Sequence, residues 1–300
     1  MRVFITGASG HVGSAVIPEL LQAGHEVVGL ARSDSAAAAV ADLGAEVRRG
    51  DLDDLEGLAD AARDADGVIH LAFKHDAMTA GDLASAAAAD LAALDALGNA
   101  LTGTDKPLVG TSGTAMIPMM GVTGRPGTES DAFDGGYRID AENALVGLAK
   151  HGVRSSVVRL PLVHSDLDDH GFVPALIGFA RENGFSGYPG AGDNRWPAVH
   201  TRDAARLYRL ALEGAPAGTR LHAVGDEGVP FREIAEAIGR GAGIPTRTVK
   251  PEDTAEVFRF LSAFVSVDNP TSAAITRELM DWKPELPGLI EDIDAGHYFG

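Results

Sequence analysis

Thr6-Gly7-Ala8-Ser9-Gly10-His11-Val12-Gly13 is the stretch that decides the fold. It follows the apolar run Val3-Phe4-Ile5 and leads into Val12, Val16, Ile17, Leu20 and Leu21, which lie along one stripe of a helix. Glycines at this spacing in a strand–turn–helix each answer a physical need. Gly7 permits a tight turn, Gly10 lets backbone approach a pyrophosphate, and Gly13 allows close packing of helix on strand. The helix start offers unpaired N–H groups and the positive end of its dipole to phosphate oxygens. Ser9, His11 and Val12 belong to the same candidate cofactor loop.

The pattern continues downstream. Val27-Val28-Gly29-Leu30, Val68-Ile69-His70-Leu71, Leu108-Val109 and Val157-Val158-Arg159-Leu160 are short apolar runs rich in β-branched residues. Such runs fit strands buried on both faces of a parallel sheet. Between them lie segments of helical character, among them the Ala- and Leu-rich residues 82–101. Alternating strand and helix implies βαβ units, hence an α/β fold with a doubly wound parallel sheet. After residue 161 the texture changes. Residues 165–195 are rich in Gly and Asp around one apolar helix (Phe172 to Ala180), and residues 196–225 return to strand–helix–strand character. Residues 226–300 read as short helices interrupted by Pro245, Pro251, Pro270, Pro284 and Pro287. The expected organisation is a nucleotide-binding domain of residues 1–164 and 196–225. A smaller, discontinuous substrate lobe of residues 165–195 and 226–300 completes it, with a site at the junction. Phe231, Phe258, Phe260, Phe264 and Trp282 are expected to form the lobe's core first and a pocket second.

Composition narrows the function. The 300 residues are 45% hydrophobic and 23% charged, the balance of a packed soluble chain. A formal net charge of −18 repels phosphate backbones and anionic lipid, so the expected partner is a small-molecule substrate, not nucleic acid or a membrane. Without cysteine there is no disulfide framework, Cys-ligated zinc, iron–sulfur cluster or thiol catalysis. No apolar run is long enough for a membrane span and no signal-peptide pattern opens the chain, so the expected location is cytoplasmic. Asp166, Asp168, Asp169 and His170 lie in a Gly-bounded loop and read as solvated acids, so no metal site is expected.

A dinucleotide site needs a residue at the end of the second strand to read the adenosine ribose. Here the sequence is Ala31-Arg32-Ser33-Asp34. Arg32 suits the 2′-phosphate of NADP and Ser33 adds a hydrogen bond, whereas an acid would favour NAD. Asp34, two places on, has the alternative task of capping the next helix. NADP is therefore the expected cofactor, ahead of NAD. Asp51-Leu52, after the third strand, either contacts adenine or simply starts a helix. Leu71, Ala72 and Phe73 follow the fourth strand and would border the nicotinamide ribose; His70, flanked by apolar residues, reads as a core histidine.

Taken together these pieces resemble the extended short-chain dehydrogenase/reductase family of NAD(P)-dependent epimerases, dehydratases and reductases, which has a Rossmann fold. The resemblance rests on the TGASGHVG loop, Gly50-Asp51-Leu52, Val68-Ile69-His70-Leu71-Ala72, Val199-His200-Thr201-Arg202-Asp203-Ala204-Ala205 and the tail Leu279-Met280-Asp281-Trp282-Lys283-Pro284. It implies a Ser or Thr after the fifth strand and a Tyr-x-x-x-Lys pair on the next helix, with the phenol relaying a proton during hydride transfer. Ser112, in Gly110-Thr111-Ser112-Gly113-Thr114, matches the hydroxyl; the alternative is a polar strand end. The pair does not match. Four residues after Tyr137 stands Ala141, and in the register that aligns Glu142, Arg138 replaces lysine and Asp134 replaces tyrosine. Arginine keeps a positive charge but cannot relay protons.

That departure leaves three readings. One is an atypical NADP-dependent reductase of a small carbonyl or related unsaturated compound, with Ser112, Tyr137 and Arg138 as candidate catalytic residues. Another is a nucleotide-sugar epimerase or dehydratase, and the third a non-catalytic NADP-binding sensor or scaffold. On the cofactor side, Pro161 and Val163 resemble the family's segment beside the nicotinamide ring. On the substrate side, His164 is a candidate acid, Arg195 a candidate anion clamp or an internal ion pair, and Trp196 a pocket wall or packing residue. The resemblance also implies homodimer formation through helices 82–101 and 139–150.

Overall fold

The computed structural model describes residues 1–76, 82–166 and 169–300. Its strands are, in chain order, β1 (Arg2–Thr6), β2 (Glu26–Ala31), β3 (Glu46–Arg49), β4 (Gly67–His70), β5 (Pro107–Gly113) and β6 (Arg154–Leu160). There follow β7 (Leu162–His164), β8 (Ser186–Pro189), β9 (Arg195–His200), β10 (Thr219–His222), β11 (Asp226–Pro230) and β12 (Thr246–Val249). Seven of them form one sheet in the order β10-β6-β5-β4-β1-β2-β3, and every neighbouring pair is parallel. The chain winds outward in both directions from β1, which is flanked by β2 and β4. In such sheets a crevice opens at that reversal, beyond the carboxyl ends of the strands.

Alternation along the strands supplies two apolar faces. Val3, Ile5, Ile69, Val109 and Val158 pack under the helices His11–Gln22 and Thr201–Gly214. Phe4, Val28, Val68, Leu108 and Val157 pack under Leu55–Asp64, Leu83–Leu101 and Ile139–Gly147. With helices on both faces the strands need apolar residues at every position, which is why they read as continuous runs. Asp82 caps the long helix by accepting from the Ser85 N–H at 3.1 Å.

The large sheet's ladder stops at Pro161, which has no N–H to donate, and the chain passes into a second sheet of order β11-β9-β7. There β9 runs parallel to β7 and antiparallel to β11. A two-stranded parallel pair, β8 with β12, lies beyond. A third apolar cluster joins Leu162, Val173, Leu176, Trp196, Phe231, Phe258 and Leu289. Of the five aromatics expected in the lobe core, Phe231 and Phe258 are buried there and Phe264 packs against it. Two depart from the expectation. Phe260 is 41% exposed, although it packs edge-on against Phe179. Trp282 is fully buried in the cluster under the large sheet, where its indole N–H donates to the Asp203 carbonyl at 3.0 Å. The Asp203 carboxylate accepts from the Glu285 and Leu286 N–H groups, so two distant motif stretches hold one another.

Candidate functional site

The glycine loop packs against the carboxyl end of β4. Gly7 adopts φ +70°, and a Cβ there would lie 2.7 Å from the Ala72 amide nitrogen. A Cβ on Gly13 would lie 2.2 Å from the Gly7 carbonyl oxygen, so only glycine allows helix and turn to approach this closely. Gly10 differs. Its φ of −82° suits any residue, and a Cβ would meet only the Gly7 oxygen, at 3.2 Å. Ser9 and Gly10 are exposed, and no side chain caps the helix His11–Gln22. An uncapped helix start beside an open glycine fits a diphosphate. Val12 packs against the core, whereas the His11 ring turns away toward residues much later in the chain.

At the carboxyl ends of β2 and β3 stand two guanidinium groups, each with its own carboxylate. Arg32 pairs with Asp76 at 3.2 Å and is 70% exposed. Arg49 is brought to the same loop because β2 and β3 set it opposite Ala31. It donates to the Ser33 carbonyl at 2.6 Å and to Asp34 at 2.6 Å. Ser33, not Asp34, caps the helix Asp34–Asp42, accepting from the Ala36 N–H at 3.1 Å. After β3, Asp51 accepts from the Asp53 N–H, while Asp54 caps the next helix. Leu52 is half-buried against the core, and Lys74, just past Leu71-Ala72-Phe73, pairs with Asp53 at 2.6 Å.

Beyond β4 and β5 lies a buried polar chain. The His70 ring bonds Thr6 at 2.7 Å and Asp90 at 3.1 Å, so both its nitrogens are satisfied in the core. Arg138 lies 3.6 Å from Asp90, donates to the Thr111 carbonyl at 2.8 Å and stacks 4.1 Å above the Phe73 ring. It therefore fastens the start of the helix Ile139–Gly147 to β5 and β4. Tyr137 is half-buried beside it; burial raises its phenol above the ordinary value, although Arg138 opposes this. Ser112 is buried on the face beneath that helix, opposite Arg159 in the β5–β6 register. There Glu142 holds Arg159 at 2.6 Å and Arg220 at 2.7 Å. Burial alone would raise the Glu142 carboxyl, yet these guanidinium bonds hold it below its ordinary value.

Past β6, Pro161 and Val163 are half-buried, Val163 against the first core cluster. His164 is fully buried; its Nδ1 lies 2.7 Å from Asp292 and its Nε2 has no partner among the described residues. Arg195 forms a two-pronged pair with Asp268, at 3.0 and 2.8 Å, which raises its already high pKa. Trp196 is buried under the smaller lobe, edge-on to Phe231 at 4.9 Å. In the acidic loop Asp166 pairs with Arg202 at 2.8 Å and Asp169 with His11 at 2.8 Å, while Asp168 lies outside the described residues. Sequence reasoning missed Arg49, Lys74 and Asp90. Only the first carried a signal, a basic residue at the carboxyl end of a strand next to β2.

A seven-stranded, doubly wound parallel sheet with a glycine loop at its reversal point defines a Rossmann-type dinucleotide-binding fold. Residues 3–223 match the NAD dependent epimerase/dehydratase family, and the chain belongs to it, among the extended short-chain dehydrogenases/reductases. An uncharacterized protein of Schizosaccharomyces pombe is 43% identical over 299 residues, covering 100% of both chains. A sterol-4-alpha-carboxylate 3-dehydrogenase (decarboxylating) of Dictyostelium discoideum is 26% identical, covering 82% of this chain and 77% of that one. Among solved structures, UDP-glucose 4-epimerase of Thermotoga maritima, with UDP-glucose, superposes with a TM-score of 0.81 at 18% identity, covering 100% of this chain and 98% of that one. No helix among the described residues is long and apolar enough to cross a membrane.

Proposed function

We propose that the protein is an NADP-dependent oxidoreductase acting on a small carbonyl or related unsaturated compound. The observation that carries this reading is the pair of guanidiniums, Arg32 and Arg49, flanking Ser33 at the end of β2. Each is paired with an exposed carboxylate, at 87% for Asp76 and fully for Asp34, which a 2′-phosphate can displace. Gly7, Gly10 and Gly13 form the diphosphate cradle, with Leu71, Ala72, Phe73, Pro161 and Val163 lining the path to the nicotinamide end. A nicotinamide dinucleotide bound there would supply hydride.

Proton delivery falls to Tyr137. Its raised phenol stays protonated at neutral pH and can donate to a developing alkoxide, while the Arg138 cation at its side stabilises negative charge. Arg138 does not itself move the proton. Ser112, whose buried Oγ has no hydrogen-bond partner among the described residues, is the candidate to orient the carbonyl. The similarity to a ketoreductase of Stigmatella aurantiaca, 28% identical over 232 residues, supports a carbonyl substrate. The missing Tyr-x-x-x-Lys pair weighs against a sugar-nucleotide epimerase. The experiment is turnover of NADPH with a panel of ketones and aldehydes, followed by nicotinamide fluorescence. Turnover that Tyr137→Phe reduces at least tenfold is expected. Tight NADPH binding with no turnover on any carbonyl would point to a sensor, and a rise in Tm with UDP- or dTDP-sugars to an epimerase.

A further inference from the structure

His11 stands at the first residue of the glycine-loop helix, and its two ring nitrogens meet different partners. Nδ1 lies 2.8 Å from Asp169 Oδ1, and Nε2 contacts Thr201 Oγ1. Thr201 donates its own proton to the His164 carbonyl at 2.9 Å, so it can only accept from His11. Asp169 is 1% exposed and surrounded by donors: the Gly171 N–H at 2.6 Å on Oδ1 and the Tyr298 hydroxyl at 2.8 Å on Oδ2. Tyr298 in turn accepts from the Ser165 N–H at 3.0 Å, leaving its proton for Asp169. The His11 ring is therefore held from both nitrogens, by the Asp169 carboxylate on one side and the Thr201 hydroxyl on the other.

His11 opens the helix whose uncapped N–H groups face the proposed diphosphate, so the ring's two anchors also fix that helix start. Tyr298 belongs to the turn His297–Phe299, which is itself fixed to the smaller lobe. A Cβ on Gly241, in the helix Phe231–Ala242, would strike the Phe299 ring.

We infer that His11, through Asp169 and Tyr298, is a positioning residue that couples dinucleotide binding at the glycine loop to the turn His297–Phe299. The coupling rests on the cofactor reading above. The coupling is reciprocal by linkage: what steadies the turn tightens the dinucleotide, and the dinucleotide steadies the turn.

Tyr298→Phe removes a single hydroxyl, two hydrogen bonds from the His11 ring. It should weaken NADPH binding about five- to tenfold. NADPH should slow amide exchange in residues 297–299 of the wild type but not of His11→Gln. An unchanged Kd in Tyr298→Phe, or ligand-induced protection that persists in His11→Gln, overturns the coupling alone. A wild-type protein that binds no pyridine dinucleotide overturns the cofactor reading and the coupling together.

Discussion

Gly13 and Gly10 separate what the loop does for the fold from what it does for the ligand. In Gly13→Ala the new methyl carbon falls 2.2 Å from the Gly7 carbonyl oxygen and 2.8 Å from that of Ala8. Both are backbone atoms, and the first must retreat by roughly 1 Å to restore van der Waals separation. Overpacking of this kind costs about 1–3 kcal/mol, against a helix-propensity gain of at most about 1 kcal/mol. A clash with two backbone oxygens lies in the upper half of that range, so the net loss is about 1–2 kcal/mol and lowers Tm by roughly 2–3 °C for a chain of 300 residues. Because the displaced oxygen shapes the turn, NADPH affinity also falls by at least about tenfold, close to 1.4 kcal/mol. In Gly10→Ala the nearest atom is 3.2 Å away and φ is −82°, so the apo fold should be nearly untouched. Its methyl nevertheless occupies the approach to the helix N–H groups, and affinity should fall as far. Differential scanning fluorimetry and calorimetric titration of both variants give the four numbers. A Gly13→Ala protein as stable as the wild type, or a Gly10→Ala protein that binds NADPH normally, would refute the reasoning.

Arg49→Ala removes a charge-assisted partner of the 2′-phosphate, so NADPH should weaken by about 1.5–3 kcal/mol while NADH changes little, as competitive titration would reveal. Glu142→Gln leaves Arg159, 1% exposed, without its counter-charge; a loss of about 3 kcal/mol or more should appear as a fall in the urea midpoint. Since the Glu142 carboxyl is depressed in the folded state, its contribution is present above the ordinary glutamate range and disappears as pH falls through the folded value. The acid limb of a stability–pH curve should thus be flatter in Glu142→Gln. Burial lowers both His200 and His222, with His164 adding to the effect at His200. Their contribution is complete above about pH 6.5 and is lost on acidification, so Tm should drop between pH 7 and pH 5 before most carboxylates titrate. Trp282→Ala should cost about 3–5 kcal/mol, read by the same urea midpoint.

The first half of the fold was legible because its signals are local. A parallel strand covered on both faces must be apolar throughout, and a turn that brings its backbone within reach of Ala72 must be glycine; both facts stand in the sequence itself. What escaped depends on pairing between distant segments. Arg49 reaches the adenosine end only because β3 lies in register with β2. Asp203 holds Trp282 across some eighty residues, and Asp169 and Tyr298 find His11 only after the lobe has folded over the helix. Ser33 and Asp34 are both good caps by residue type, and backbone geometry decides between them. The passage from the large sheet to the small one was marked by Pro161, yet its meaning needed the β7–β9–β11 order. The candidate substrate residues Arg195 and Trp196 meet a carboxylate and a phenyl ring that no spacing rule connects to them.

Calorimetric titration of the purified chain with NADPH and then NADH tests the central claim most directly. Saturable binding of NADPH, tighter than NADH and weakened when Arg32 or Arg49 becomes alanine, is the predicted result. Indifference to both nucleotides, or a preference for NADH, would contradict it.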